Sequence, residues 1–230
     1  MGSSPIACAT SSCSSSKTNN TLLQRTKALS RTVSPASIAR IVDESQHESN
    51  TEEAKTMLPD ILAPKLKLVI CGTAAGTRSA AVAHYYAGRG NKFWRTLHRV
   101  GLTANQLAPH EQLRLLEYGI GLTALVKGQA GMDNRIIFAG NLRAALQSTV
   151  ECWKPAVVCF NGKRAASEVL GVRSPVFGRQ SDRLAGAVLF VASSTSGAAN
   201  AAWDERHWHS LASLVAPSQG GDERGAAVDR

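Results

Sequence analysis

The chain has 230 residues, 43% of them hydrophobic, and a formal net charge of +9. This length suits one large domain or one domain with tails, and no apolar run reaches the roughly 18 residues that a membrane-spanning helix needs. The positive charge is concentrated in residues 59–215, which hold 18 basic and 9 acidic side chains. Such a basic domain is typical of proteins that bind nucleic-acid phosphates, although a generally basic soluble surface gives the same balance.

The cysteines indicate neither a metal site nor a disulfide framework. They are Cys8, Cys13, Cys71, Cys152 and Cys159. They form no C-x-x-C pair and no His/Cys cluster with zinc-ligand spacing, so we expect no metal and no cofactor. An odd count without a secretory signal favours reduced thiols in an intracellular compartment, with the bacterial cytoplasm or nucleoid as the expected location. Cys71 and Cys159 lie in apolar runs and are predicted to be buried.

The two ends of the chain are predicted to be disordered tails. Residues 1–58 are rich in Ser and Thr and have no sustained apolar period before Leu58. No acidic residue occurs up to Arg40, and this composition resembles that of an organellar transit peptide. A bacterial tail, or a start codon assigned too far upstream, explains the composition equally well. Residues 216–230 are Gly-rich with mixed charges. The folded domain is therefore placed at residues 59–215.

Within this domain, strands and helices are predicted to alternate. Short apolar runs predict buried strands at residues 66–71, 156–160 and 187–191, and residues 120–126 form a short strand or an extended loop. Helical periodicity indicates helices at residues 91–100, 136–152 and 203–215, with a further short helix from Pro109. This alternation is typical of an α/β sandwich with a mainly parallel sheet.

Three polar or Gly-rich segments follow the buried strands. They are Gly72–Ser79, Asn161–Lys163 and Ser193–Asn200. Because open parallel sheets bind ligands beyond the carboxyl ends of their strands, we expect these segments to meet in one crevice.

Several motifs in this domain resemble one family in the same order along the chain. They are Cys71-Gly72-Thr73-Ala74-Ala75-Gly76, Tyr86-Ala87, Asn91-Lys92-Phe93-Trp94, Gly101-Leu102-Thr103, Gly121-Leu122-Thr123 and Ser194-Thr195-Ser196-Gly197. Together they resemble the mismatch-specific uracil-DNA glycosylases over about residues 59–215. The resemblance implies a three-layer α/β/α sandwich around a four-stranded, mainly parallel sheet. It also implies a monofunctional enzyme that flips uracil or a mismatched base out of DNA and hydrolyses its N-glycosidic bond without a cofactor.

The resemblance also implies a pocket for the flipped base. The residues assigned to this pocket are Gly72, Ala74, Gly76, Tyr86 and Asn91. Tyr86 stands where the family has its base-stacking Phe, and the alternative is an ordinary core tyrosine. Asn91 either organises the pocket or only caps the helix that follows it. The two glycines allow the backbone to approach a base or a phosphate closely.

A second group of residues is assigned to binding the DNA strand. These residues are Ser79, Lys163, Ser194, Thr195, Ser196 and Gly197, whose hydroxyl, amine and backbone N–H groups suit phosphates. A plain Ser-rich surface loop at residues 193–200 is the alternative. The family inserts a bulky residue from this loop into the gap left by the flipped base, but here Ala198 and Ala199 follow Gly197. We therefore expect mismatched or single-stranded DNA to be preferred.

The catalytic group departs most from the family pattern. Ala74 stands where the family carries the Asn or Asp that positions the attacking water. The remaining candidates are Asp133, Thr73 and Thr123, and Asp133 has the alternative role of capping a helix that begins near Arg135. We expect a monomeric DNA glycosylase of weak activity, and no lyase step, because no Lys is placed as a nucleophile. Two alternatives stay open: a catalytically silent module that binds damaged or abasic DNA, and an enzyme that acts on a free nucleoside or nucleotide.

Overall fold

The computed structural model describes residues 58–216, which build a central sheet between two helical layers. The strands are β1 (Leu68–Gly72), β2 (Ile120–Ala124), β3 (Val157–Asn161), β4 (Gly178–Leu184) and β5 (Ala187–Ala192). They lie in the order β2-β1-β3-β5-β4, and all neighbours are parallel except β4 and β5. The predicted α/β/α sandwich with a mainly parallel sheet is confirmed. The predicted tails lie almost wholly outside the described residues.

The sheet has five strands, where the sequence predicted four. The additional strand is β4, which pairs antiparallel with β5 at the edge of the sheet. Its sequence is Gly-Arg-Gln-Ser-Asp-Arg-Leu, and only Leu184 is buried. An exposed edge strand can carry charges along most of its length, so this segment lacks the apolar run that identified the other strands.

The predicted helices occur in the predicted order, and the structure adds two α-helices, at Thr77–Val82 and Lys163–Leu170, that the sequence did not predict. The α-helices are α1 (Thr77–Val82), α2 (Phe93–Arg99), α3 (Leu142–Trp153), α4 (Lys163–Leu170) and α5 (Arg206–Val215). Three 3₁₀ helices cover Pro109–Tyr118, Asp133–Arg135 and Gly197–Ala202. Among residues 58–216, no helix is long and apolar enough to cross a membrane.

Helix α3 begins later than its predicted start at residue 136. Asn141 caps the helix, because its side chain accepts a hydrogen bond from the Ala144 N–H at 2.9 Å. Ile137, which appeared to belong to the apolar face of the helix, is 71% exposed instead. The suggested capping role for Asp133 is therefore wrong, since Asp133 belongs to a separate single turn that ends at Arg135.

The two faces of the sheet bury separate apolar clusters, as the alternation of strand side chains requires. In β1, Leu68 and Ile70 pack toward Phe93 of α2 and Trp208 of α5. Cys71 faces the other cluster, which includes residues of α3 and α4. Cys71 and Cys159 are fully buried, as predicted, and burial raises the pKa of the Cys71 thiol to about 12. At neutral pH this thiol is protonated and packs as a small apolar group.

Candidate functional site

A cavity of about 520 Å³ opens at the carboxyl edge of the sheet. Its walls come from the loops that follow β1, β2, β3 and β5, together with residues between α1 and α2. The predicted convergence of Gly72–Ser79, Asn161–Lys163 and Ser193–Asn200 is thus found in the structure. Every residue assigned to the base pocket or to DNA lines this cavity, and so do Thr73 and Asp133.

Tyr86 forms part of the cavity wall in an uncommon backbone conformation. Its ring stacks on Phe93, with centroids 3.8 Å apart and planes inclined by 24°. Its φ of +55° lies in the left-handed region, which is unusual for an aromatic residue and is often maintained by its surroundings at functional sites. Because Phe93 covers one ring face, a base could stack only on the other.

The close approach of Tyr86 to β1 depends on Gly72. A Cβ atom at position 72 would lie 3.2 Å from the Tyr86 hydroxyl oxygen, which is closer than most side chains tolerate. Burial raises the pKa of the Tyr86 hydroxyl, and the nearby Asn161 side chain partly opposes this rise. The phenol therefore stays protonated, and within residues 58–216 its hydroxyl completes no hydrogen bond of good geometry.

Ser79 and Gln112 hold the loop that carries Tyr86. The Ala87 N–H donates to the Ser79 hydroxyl oxygen at 3.1 Å, and the Tyr85 N–H donates to the Gln112 side chain at 2.8 Å. Ser79 is only 5% exposed. The expectation of a phosphate contact at Ser79 is therefore revised, because a side chain this buried is placed to position the loop.

Asn91 combines both of its predicted features. Its side-chain oxygen accepts the Phe93 N–H at 3.0 Å, as an N-terminal capping residue would, and the residue also lines the cavity. The next residue joins this segment to the loop after β5, since the Lys92 N–H donates to the Thr195 carbonyl at 2.9 Å. The start of α2 and the loop after β5 thus form one wall.

The loops after β3 and β5 are joined by Asn161, which the sequence analysis did not single out. Its side-chain amide donates to the Thr195 hydroxyl, and its side-chain oxygen accepts the Thr195 N–H, both at 2.9 Å. Asn161 is 9% exposed and Thr195 is fully buried. The expectation that the Thr195 hydroxyl binds a DNA phosphate is therefore revised, because it is buried and already bonded. The signal in the sequence that could have identified Asn161 is its position at the end of an apolar strand.

The rest of the loop after β5 presents small polar groups to the cavity. The Ser194 hydroxyl accepts the Ser196 N–H, and the Ser196 hydroxyl accepts the Ala198 N–H, each at 3.3 Å. Gly197 lies close to another backbone segment, since a Cβ there would be 3.4 Å from the Gly90 carbonyl oxygen. Ser196 is exposed, so its hydroxyl and the loop's backbone remain accessible to a strand.

Asp133 is the carboxylate that the structure brings into the cavity. The residue is exposed, and its carboxyl group lies near Thr73 and Arg164. Partial burial raises the pKa of Asp133, while the Thr73 hydroxyl and the Arg164 charge limit the rise. The loop of Asp133 is joined to the first Gly-rich loop, because the Gly131 N–H donates to the Ala75 carbonyl at 2.9 Å.

Thr123 does not line the cavity. Its hydroxyl donates to the Asp60 carboxylate at 2.8 Å and accepts from the Lys127 ammonium at 3.0 Å, and Lys127 also pairs with Asp60. Thr123 is 2% exposed. Its suggestion as a water-positioning residue is withdrawn, because its hydroxyl is fully occupied outside the cavity.

Among residues 58–216, four cationic side chains and one carboxylate, that of Asp133, line the cavity. The cationic side chains are Arg78, Arg89, Lys163 and Arg164. Lys163 is held over the Phe177 ring at 4.5 Å, and the Arg164 guanidinium over the Phe138 ring at 4.3 Å. Cations held in place by aromatic rings at the mouth of a cavity favour a negatively charged ligand.

Comparison with known proteins agrees with this geometry. The solution NMR structure of a Methanosarcina acetivorans protein, provisionally named a uracil DNA glycosylase, has the same fold. The TM-score is 0.52 at 22% sequence identity, and the match covers 70% of this chain and 98% of that one. The family profile described as the uracil DNA glycosylase superfamily matches residues 59–214. With a family match over most of its length and the corresponding fold, the chain belongs to the uracil DNA glycosylase superfamily.

Proposed function

We propose that the chain is a monofunctional DNA glycosylase that flips uracil, or a related deaminated or mismatched base, out of DNA and hydrolyses its N-glycosidic bond. The observation that carries this proposal is the single cavity that holds Tyr86 and Asp133 together inside a cationic rim. Cavities of this size are typical of small-molecule and nucleobase sites.

The rim and the aromatic wall supply binding. A base inside a duplex cannot be attacked in place, and extruding it costs a few kcal/mol. Stacking of the base on the face of the Tyr86 ring that Phe93 does not cover would offset this cost by about 1–3 kcal/mol. Lys163 and the backbone of Ser196 and Gly197 would hold the flanking phosphates, which fix the position of the strand without reading its sequence.

Asp133 is our candidate for activating water. In the proposed reaction the C1′–N bond breaks and its electron pair leaves with the base. The sugar then carries positive charge, which the Asp133 carboxylate stabilises. A water molecule forms the new bond to C1′ and gives its proton to Asp133. Ala74 offers no polar group for this step, and Thr73, whose hydroxyl lies near the Asp133 carboxyl group, would orient it.

The proposal is tested with a labelled duplex containing uracil opposite guanine. We expect the strand to be cleaved only after alkali treatment, because the enzyme leaves an abasic site without cutting the backbone. Asp133→Asn should slow base release by about 10²–10⁴-fold and retain DNA binding. Asp182→Asn is the matched control, since that carboxylate pairs with Arg143 at 2.9 Å and does not line the cavity.

Two results would contradict this proposal in different ways. Strands that stay intact at high enzyme excess would exclude glycosylase activity on uracil. Normal release by Asp133→Asn would exclude only the role of Asp133.

One observation favours a second function, that of a silent module that binds damaged or abasic DNA. Ala74 and Ala75 line the cavity and offer no side chain that could position water. Turnover separates the two functions, because a module would bind lesion DNA tightly and in a salt-dependent manner without releasing the base. An enzyme for free nucleosides or nucleotides, the third alternative, predicts no DNA affinity.

A further inference from the structure

The structure has one large apolar side chain exposed at the cavity. Five such side chains are exposed within residues 58–216: Leu113, Met132, Ile137, Val172 and Val176. Only Met132, at 55% exposure, also lines the cavity. Single exposed apolar residues are common on protein surfaces. The feature that requires an explanation is therefore the position of Met132 in the cavity wall, not its exposure.

The loop that presents Met132 is firmly held at its base. The Gly131 N–H donates to the Ala75 carbonyl at 2.9 Å, and Ala130 forms a parallel bridge with Ala75. The Met132 carbonyl accepts the Arg135 N–H at 2.8 Å. Gln129 closes the loop further along, because its side chain both accepts from the Ile137 N–H and donates to the Ile137 carbonyl at 2.9 Å. Met132 therefore projects from an ordered support.

The loop after β5 offers no comparable side chain. It presents Ser194, Ser196, Gly197, Ala198 and Ala199 to the cavity, all of them small. Strands β1 and β3 lie between β2 and β5, so the loop after β2, with Met132, and the loop after β5 leave the sheet on different sides of the cavity. Among residues 58–216, Met132 is thus the exposed large apolar side chain that lines the cavity, and it lies on the side opposite the loop after β5.

We propose that Met132 inserts into the gap that a flipped base leaves in the DNA stack. This inference rests on the proposed function. The unbranched thioether side chain adapts to irregular apolar gaps, and apolar side chains inserted between base steps are an established way to hold a distorted duplex. Asp133 follows Met132 directly, so insertion would bring the Asp133 carboxylate toward the extruded sugar.

The test compares two DNA probes that carry 2′-fluoro-2′-deoxyuridine, which resists hydrolysis. One is a duplex with the analogue opposite guanine, and the other is the same strand alone. Met132→Ala should weaken duplex binding by about tenfold, the effect of losing roughly two buried methylene equivalents. It should leave single-strand binding within about twofold, because a single strand has no gap to fill.

Two further variants serve as controls. Met132→Leu keeps the apolar bulk and should retain duplex binding within about threefold. Leu113→Ala removes a side chain that is 64% exposed but distant from the cavity, and should change neither affinity. The circular dichroism melting curve of Met132→Ala should match that of the wild type, since Met132 is exposed.

Several outcomes would overturn the inference. Unchanged duplex binding by Met132→Ala, an equal loss on both probes, or a wild-type protein that binds only the single strand would each exclude insertion of Met132. A wild-type protein without preference for the analogue over undamaged DNA would overturn the proposed function and this inference with it. Lesion-specific binding that Met132→Ala leaves unaltered would overturn the inference alone.

Discussion

Replacing Asn161 by Ala removes both side-chain hydrogen bonds that join the loops after β3 and β5. Each of these bonds contributes about 1 kcal/mol to stability, and leaving the buried Thr195 N–H unsatisfied costs roughly 1–3 kcal/mol more. We expect the free energy of unfolding to fall by about 3–5 kcal/mol in total. In a domain of this size that corresponds to a melting temperature roughly 6–20 °C lower.

Urea unfolding followed by circular dichroism measures this loss, and a double-mutant cycle assigns it. Thr195→Val removes the hydroxyl that accepts from Asn161, so the two substitutions should be coupled by about 0.5–3 kcal/mol. Asn200→Ala is the matched control. Asn200 is exposed and accepts from the Lys92 ammonium, so its loss should cost less than about 0.5 kcal/mol.

The same substitution should weaken binding to lesion DNA, because Thr195 also accepts the Lys92 N–H and so connects α2 to the wall of the cavity. The reasoning would be refuted by an Asn161→Ala protein that unfolds within about 0.5 kcal/mol of the wild type. Additive effects of Asn161→Ala and Thr195→Val would refute the assignment of the loss to these two hydrogen bonds.

Three further predictions address the site. Because partial burial raises the pKa of Asp133 from its ordinary value, base release should fall as the pH drops through the raised pKa, measured as a pH–rate profile. Asp133→Asn should not reduce stability at neutral pH, since folding no longer penalises a charge there. Tyr86→Ala should weaken lesion binding by about tenfold in a fluorescence anisotropy titration, whereas Tyr86→Phe, which keeps the ring on Phe93, should bind nearly normally. Lys163→Ala should lower the slope of log K against log salt concentration by about one, and Arg173→Ala, remote from the cavity, should leave it unchanged.

Apolar runs made most of the sheet predictable. Strands β1, β3 and β5 are buried along their whole length or nearly so, so their sequences are continuous stretches of Val, Ile, Leu, Phe and Cys. Strand β4 was missed because its side chains face solvent and its position is fixed by pairing with β5. Local sequence does not report pairing of that kind.

The sequence predicted the location of the candidate site better than it predicted the roles of the residues in it. Loops at the ends of parallel strands meet for topological reasons, which explains why Gly72, Lys163 and Ser196 line one cavity. Whether a hydroxyl is free depends on partners distant in sequence. Thr123 is bonded to Asp60, and Thr195 to Asn161. No short motif contains that information.

The antiparallel edge strand has a practical consequence. Because β4 runs opposite to β5, the tight turn between them, Ala185-Gly186, lies at the amino end of β5 and therefore on the far side of the sheet from the cavity. Both turn residues are exposed, and both have positive φ values, +46° and +88°. Exposed turns of this type tolerate insertions. A fluorophore or surface-immobilisation tag introduced there would allow DNA binding to be measured without blocking the cavity.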